Sequence, residues 1–366
     1  MADYQRANYQ RANIERMEGY TWGEQPDDQE TIKLNTNENP YPASPAVDAA
    51  LQSVTAASLR RYPQPTADAL RDAIASQHDT QRNQIVITNG GDEALRLALT
   101  TFVEPGAPIA VAEPSYSLYP VLADIHDARV FRIDLDSEWQ LADDFARQAN
   151  EAGAQLTCIV NPHAPSGTLL SYESLDGLAK DLNGVLLIDE AYVDFVDPEI
   201  AYSAIDLINK HDNVLILRTF SKGYSLAGMR LGYLLGSANL IDPIVTKTRD
   251  SYNIDHVSQL VGLAAFTDQT YANETWTKVR EQRALVGDSL HQLGLTCVPS
   301  QANFLLATVG DHAKLTAKEL YEALKARGVL VRYFSTERLA DKLRISIGSP
   351  EENDKLLSHL TDLLNP

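Results

Sequence analysis

From residue 84 onward, short unbroken apolar runs alternate with longer segments of helical spacing. The runs are 84–88 (QIVIT), 108–112 (PIAVA), 129–135 (RVFRIDL), 156–160 (LTCIV), 185–188 (VLLI) and 214–217 (VLIL). The interior ones are apolar at every position instead of every second one, which suits strands covered by helices on both faces. Helical patterns over 93–102 and near 118–125 stand between them. This alternation predicts an α/β fold, a mostly parallel sheet with right-handed crossovers. The texture changes near residue 245. Helical sequence dominates to about 293. A mixed unit follows: a strand over 304–309, a helix over 316–327, strands over 329–333 and 343–347, and a last helix from 351. It predicts a smaller α+β domain. The first forty-odd residues (WGEQPDD, NENPYPASP) are polar and irregular, an arm with little structure of its own. The division is an arm over 1–45, a large domain over 46–270 and a small domain over 271–366.

Composition narrows the function. The 366 residues are 44% hydrophobic and 22% charged, ordinary for a soluble globular chain. Lys and Arg number 31 against 50 Asp and Glu, a net charge of −19. That argues against nucleic acid and against an anionic membrane surface as partners, since both require clustered cations. Two distant cysteines, Cys158 and Cys297, make neither a zinc constellation nor a disulfide framework, so a reducing, cytoplasmic setting is expected. The N-terminal MADYQRANYQRANIERMEGY lacks the apolar core of a signal peptide, and no run of about 18 apolar residues spans a bilayer.

Five segments carry candidate chemistry. In RTFSKGYSLAGMRLG (218–232), Lys222 sits among small residues, with Thr219 and Ser221 before it and Arg230 after it. Burial and nearby cations lower a lysine pKa and ready it for a Schiff base, while hydroxyls and an arginine suit a phosphate. A solvated surface loop is the alternative. In VLLIDEAYVDF (185–195), Asp189 ends an apolar strand, where a carboxylate can pair with a cationic ring nitrogen, and Tyr192 can donate to a phenolic oxygen. Asp189 and Glu190 also fit a helix cap or a metal pair. In TNGGDEAL (88–95), two glycines precede a helix whose free N–H groups favour an anion; a plain turn fits as well. In VAEPSYSLY (111–119), Tyr116 can stack on a flat ring or pack under a loop. Arg332 and Arg344 lie on apolar strands and require anions, from substrate or from internal ion pairs. Neither a dinucleotide fingerprint nor a P-loop is present. A Schiff-base lysine, a ring-nitrogen partner, a phenol donor, a phosphate cup and a stacking ring together form the inventory that pyridoxal phosphate needs.

Read together, these motifs resemble the fold-type I pyridoxal-phosphate aminotransferases, and within them the histidinol-phosphate aminotransferase family. The resemblance runs over nearly the whole chain, through LNTNENPYP, RRYPQP, NGGDEAL, PSYSLY, NPHAPSG, DEAYVDF, RTFSKGYSLAGMRLGY, VLVRYF and LRISIG. It implies that Lys222 holds the cofactor as a Schiff base and moves protons, that Asp189 keeps the pyridine nitrogen protonated and that Tyr192 bonds the ring oxygen. Tyr116 would stack on the ring, and Gly91, Asp92, Thr219, Ser221 and Arg230 would hold the phosphate. Tyr62 would reach it from a partner subunit, implying a homodimer with shared sites. Tyr20, Asn37, Arg332 and Arg344 would contact substrate: L-histidinol phosphate, giving imidazole-acetol phosphate, with 2-oxoglutarate giving L-glutamate. Aromatic transaminases and a threonine-phosphate decarboxylase share most of these motifs. A cofactor-binding regulator would add a helix-turn-helix, for which the arm is too short and too acidic. One departure stands out. The family usually has Asn before P-[ST]-G, touching the ring oxygen, and this chain has Ala164. Asn161 or His163 then takes over, or Tyr192 acts alone; Asn161 is the expectation.

Overall fold

The computed structural model describes residues 9–364 apart from 29 and 311. In chain order its strands are β1 (Ile32–Lys33), β2 (Ile85–Thr88), β3 (Pro108–Glu113), β4 (Arg129–Asp134), β5 (Leu156–Val160), β6 (Val185–Asp189), β7 (Val214–Thr219), β8 (Gly232–Gly236), β9 (Leu295–Cys297), β10 (Phe304–Val309), β11 (Val329–Leu330), β12 (Arg332–Tyr333) and β13 (Lys342–Ser346). Seven of them form one sheet in the order β2-β8-β7-β6-β5-β3-β4. β4, β3, β5, β6 and β7 run parallel, while β8 is antiparallel to both β7 and β2.

The continuous apolar runs are explained by burial on both faces. On β6, Leu186 and Ile188 join one core cluster and Leu187 joins the other. Val214 and Ile216 of β7 divide from Leu215 and Leu217 in the same way. Strand β8 is absent from the sequence reading because GYLLG is short and bounded by glycines, so it reads as more of the preceding loop. All five of its residues are buried. Gly232 is required there: a Cβ would lie 3.0 Å from both the Arg218 oxygen and the Gly90 carbonyl carbon.

A four-stranded antiparallel sheet, β12-β13-β10-β9, packs with the 24-residue helix Gln269–Gln292 and the helices Ala317–Ala326 and Pro350–Leu364 around a third cluster. Thr316 and Glu319 close a capping box on the second of these helices. The single strand expected over 329–333 is broken. β11 pairs with β1 of the arm, whereas β12 pairs with β13. Edge pairing by the arm explains the change, and it also gives the arm more structure than its polarity implies. Farther upstream, Arg11 Nη2 donates to the Ile125 oxygen at 2.7 Å and Asn13 Nδ2 to the Asp124 oxygen at 2.7 Å. These carbonyls end the helix Leu118–His126, where orphan acceptors and the negative dipole end favour a cation. None of the described helices is long and apolar enough to cross a membrane.

Candidate active site

A cavity of about 690 Å³ opens at the carboxyl ends of β3, β5, β6 and β7 and is closed by the arm and by β12 and β13. Ligands of open α/β sheets bind at that edge. Asp189, the last residue of β6, is 5% exposed. Its Oδ2 accepts from Tyr119 Oη at 2.9 Å and its Oδ1 from the Ala191 N–H at 3.1 Å. Burial pushes its carboxyl up to about 6, against the pull of these two donors. Glu190 faces elsewhere. Its oxygens accept from Arg218 at 2.7 Å and from Tyr202 at 2.9 Å, so the two acids form no metal pair.

Lys222 follows β7 by three residues, and its Nζ donates to the Thr36 carbonyl at 2.7 Å. Burial lowers its pKa to about 8, helped by Arg344, Lys33 and Arg230 and opposed by Glu38. A nucleophilic amine needs this, because only the neutral form attacks a carbonyl. The surface-loop alternative for Lys222 does not hold.

The expected phosphate cup falls at the start of the helix Gly90–Phe102. Asn89 at its N-cap makes no side-chain cap, which leaves the terminus to an incoming anion. Arg230 Nη1 donates to Ser221 Oγ at 3.3 Å, Thr219 Oγ1 to Ser221 Oγ at 2.9 Å, and Arg230 Nη2 lies 3.2 Å from Asp92 Oδ2. Gly90 has φ +75°, and a Cβ on it would fall 2.6 Å from Arg230 Nη2. That close approach requires glycine and lets the guanidinium lie across the helix start. An uncapped terminus, two hydroxyls and an arginine suit a phosphate dianion.

Tyr116 lines the cavity, edge-on to Tyr119 at 5.6 Å and to Tyr20 of the arm at 6.2 Å. On the opposite wall stand Arg332 and Arg344. Arg344 donates to the Asn35 carbonyl at 3.0 Å and stacks between Phe304 and Phe334, and its buried Nε has no partner among the described residues.

Two expected contacts come out differently. Asn161 is fully buried beneath the cavity wall. Its Nδ2 donates to Tyr202 Oη at 2.8 Å and to the Leu170 carbonyl at 3.2 Å, and its Oδ1 accepts the Leu170 N–H at 2.8 Å. It does not replace the amide missing at Ala164. His163 does not either, since its ring nitrogens sit 2.7 Å from Ser166 Oγ and 2.9 Å from the Pro114 carbonyl. Asn37 is at the cavity wall, with its amide tied to Tyr192 Oη and Ser346 Oγ, both at 3.0 Å, and not left free for substrate. Tyr62 is outside the cavity of its own chain, 80% exposed and stacked on Tyr252 at 4.5 Å. Tyr119 was missed by sequence reading. The available signal was its place in PSYSLY, one helical turn past Tyr116, which aims both rings at one edge of the sheet.

The class I and II aminotransferase family model matches residues 29–360. A histidinol-phosphate aminotransferase of Trichormus variabilis is 41% identical over 365 residues, covering all of both chains. The chain belongs to the histidinol-phosphate aminotransferase family within the class I and II aminotransferases. A relative of the same name in Clostridium botulinum is 38% identical and covers 95% of this chain and 96% of its own. The Sinorhizobium meliloti histidinol-phosphate aminotransferase, solved with pyridoxal-5'-phosphate, superposes with TM-score 0.85 at 26% identity, over 91% of this chain and 90% of that one. This aminotransferase accordingly has the fold-type I architecture and works with pyridoxal phosphate. The residues present fit that group: an unpaired buried carboxylate for a ring cation, an aromatic ring, a neutralisable amine and an anion cup share one cavity.

Proposed function

We propose that this aminotransferase moves the amino group of L-histidinol phosphate to 2-oxoglutarate, giving imidazole-acetol phosphate and L-glutamate, a step of histidine biosynthesis in the cytoplasm. One observation carries the choice of substrate. Besides the phosphate cup, the cavity holds Arg332 and Arg344, which make no ion pair among the described residues, with Tyr20 of the arm on the same lining; its other arginine, Arg132, is paired with Glu113 at 3.5 Å. Both half-reactions bring a dianion to this wall, a phosphate monoester in one and a dicarboxylate in the other.

When bound, pyridoxal phosphate supplies an aldehyde carbon and an electron-withdrawing pyridine ring. The protein does the rest. Lys222, with a pKa near neutrality, takes a proton from the substrate α-carbon and returns it one carbon away. Asp189 holds a proton on the ring nitrogen, and Tyr119 keeps that carboxylate oriented. Tyr192 donates to the phenolic oxygen, and Tyr116 covers one ring face. Thr219, Ser221, Arg230 and the N–H groups at Gly91 and Asp92 hold the phosphate. Tyr62 reaches the cup of a second copy, which makes the working unit a homodimer with shared sites. Its exposed ring stack with Tyr252 supports this role.

A substrate panel tests the proposal. With 2-oxoglutarate as acceptor, kcat/KM for histidinol phosphate exceeds that for phenylalanine by about 100-fold, as expected from the ~3 kcal/mol of charge-assisted hydrogen bonds that a phosphate-free amine lacks. Equal or better turnover of phenylalanine, or carbon dioxide release from threonine phosphate, overturns it.

A further inference from the structure

We propose that Asn37 is a positioning residue for Tyr192, aiming the phenol's proton into the cavity. A tyrosine hydroxyl has one proton to give and lone pairs to accept with. Asn37 Nδ2 donates to Tyr192 Oη at 3.0 Å. The amide cannot profitably turn round. Ser346 Oγ accepts the Asn37 N–H at 2.9 Å, and its own proton goes to Asn37 Oδ1 at 3.0 Å. The Asn37 carbonyl is held by Asn303 Nδ2 at 2.9 Å, and its backbone sits at φ +57°, a region asparagine tolerates well. Asn37 is 1% exposed, so no water competes. Tyr192 is fixed in turn, edge-on to Phe304 at 5.0 Å and 85°. With an N–H group pressed against its oxygen, the phenol finds no acceptor in Asn37, and its proton is left for the cavity.

The positions around the missing amide do not supply that donor. Ala164 presents only a methyl, and the polar atoms of Asn161 and His163 are committed elsewhere. The inference rests on the proposed function, in which the acceptor is the cofactor's phenolic oxygen. Ser346, at the end of β13, thereby sets a proton on Tyr192, beyond the end of β6, through one residue of the arm.

The test is a pH titration of the holoenzyme's visible absorption, read as the midpoint between its two cofactor bands. A donor at the phenolic oxygen favours the deprotonated form and holds the midpoint low. Tyr192→Phe raises it by about one pH unit, the worth of one net hydrogen bond. Asn37→Asp, which offers the phenol an acceptor, raises it too. The charge it adds acts equally on a Tyr192→Phe background, so the difference between backgrounds isolates the path through the phenol. We expect the Asn37→Asp shift to be larger with Tyr192 present, by about one pH unit. Ser346→Ala, which frees the amide to turn, shifts the midpoint the same way by less, and only when Tyr192 is present. Equal shifts in both backgrounds for both substitutions overturn the inference and leave the proposed function standing. A protein that develops no cofactor band overturns both.

Discussion

Replacing Asp189 by Asn should stabilise the cofactor-free protein, and increasingly so as pH rises. The folded carboxyl titrates near 6, against an ordinary value of 3.8, because it is buried with only two donors and no cation. Between those values the folded protein binds more protons than the unfolded chain, so stability falls as pH climbs through the window. About two pH units at 1.36 kcal/mol each amount to about 3 kcal/mol lost above the folded pKa. Asparagine carries no such penalty. Its oxygen can still accept the Ala191 N–H, and its amide nitrogen can face Tyr119, whose hydroxyl turns to accept. The assay compares urea midpoints of cofactor-free wild type and Asp189→Asn from pH 5 to pH 8. Groups common to both proteins cancel. The variant's advantage grows from about half its full value at pH 5 to about 3 kcal/mol at pH 8. Adding pyridoxal phosphate reverses the ranking, because a ring cation beside Asp189 stabilises the carboxylate and the amide cannot reciprocate. A stability difference that stays flat with pH would show that Asp189 is ionised throughout and would refute the reasoning.

Tyr119→Phe removes one of the two donors to Asp189 and should weaken cofactor binding at pH 7 by about 10-fold, matching a lost hydrogen bond to a charged acceptor of ~1.5 kcal/mol or more; equilibrium dialysis measures it, and unchanged affinity contradicts the role. Lys222→Ala and Tyr62→Ala should each cripple activity, and on the proposed homodimer co-refolding the two should restore it. One site of the mixed dimer then has its own Lys222 and the other subunit's Tyr62. No gain over the separate variants would show that Tyr62 does not act across subunits.

The parts of this site legible in the sequence are those fixed by local pattern. VLLI and VLIL had to be central strands because both faces are apolar, and that alone placed Asp189 and Lys222 at one sheet edge. Gly-Gly before a helix marked the uncapped helix start that Arg230 approaches. What escaped depends on contacts distant along the chain. Asn37 and Tyr192 are 155 positions apart, and Asn37 and Ser346 are 309 apart; no periodicity encodes such pairs. The expectation for Asn161 failed for a related reason. Its position near the sheet edge was correct, yet whether its amide turns to the cavity or to Tyr202 depends on Tyr202, which the pattern could not place. The break between β11 and β12 likewise required knowing that the arm would supply β1.

The unpaired cations of the cavity, more than the net charge of the chain, identify the ligands. A chain of −19 gathers Lys222, Arg230, Arg332 and Arg344, with Arg132 at the rim, around one cavity. Six acids share the lining, Glu18, Glu38, Asp92, Glu113, Asp124 and Asp189, yet few pair with these cations: Asp92 faces Arg230, Glu113 lies 3.5 Å from Arg132, and Glu38 is shared with Lys33. The mutual repulsion is visible in Lys222, whose pKa is lowered by burial and further by Arg344, Lys33 and Arg230. A partnerless guanidinium N–H on buried Arg344 adds a desolvation cost. Folding alone gives no reason to keep such an arrangement, since ion-pairing each arginine internally would be more stable. Anionic ligands supply the missing partners, and the low-dielectric walls strengthen their hold. Lys222, Arg332 and Arg344 make no ion pair among the described residues, so small dianions find partners there, while the net charge of −19 repels larger polyanions.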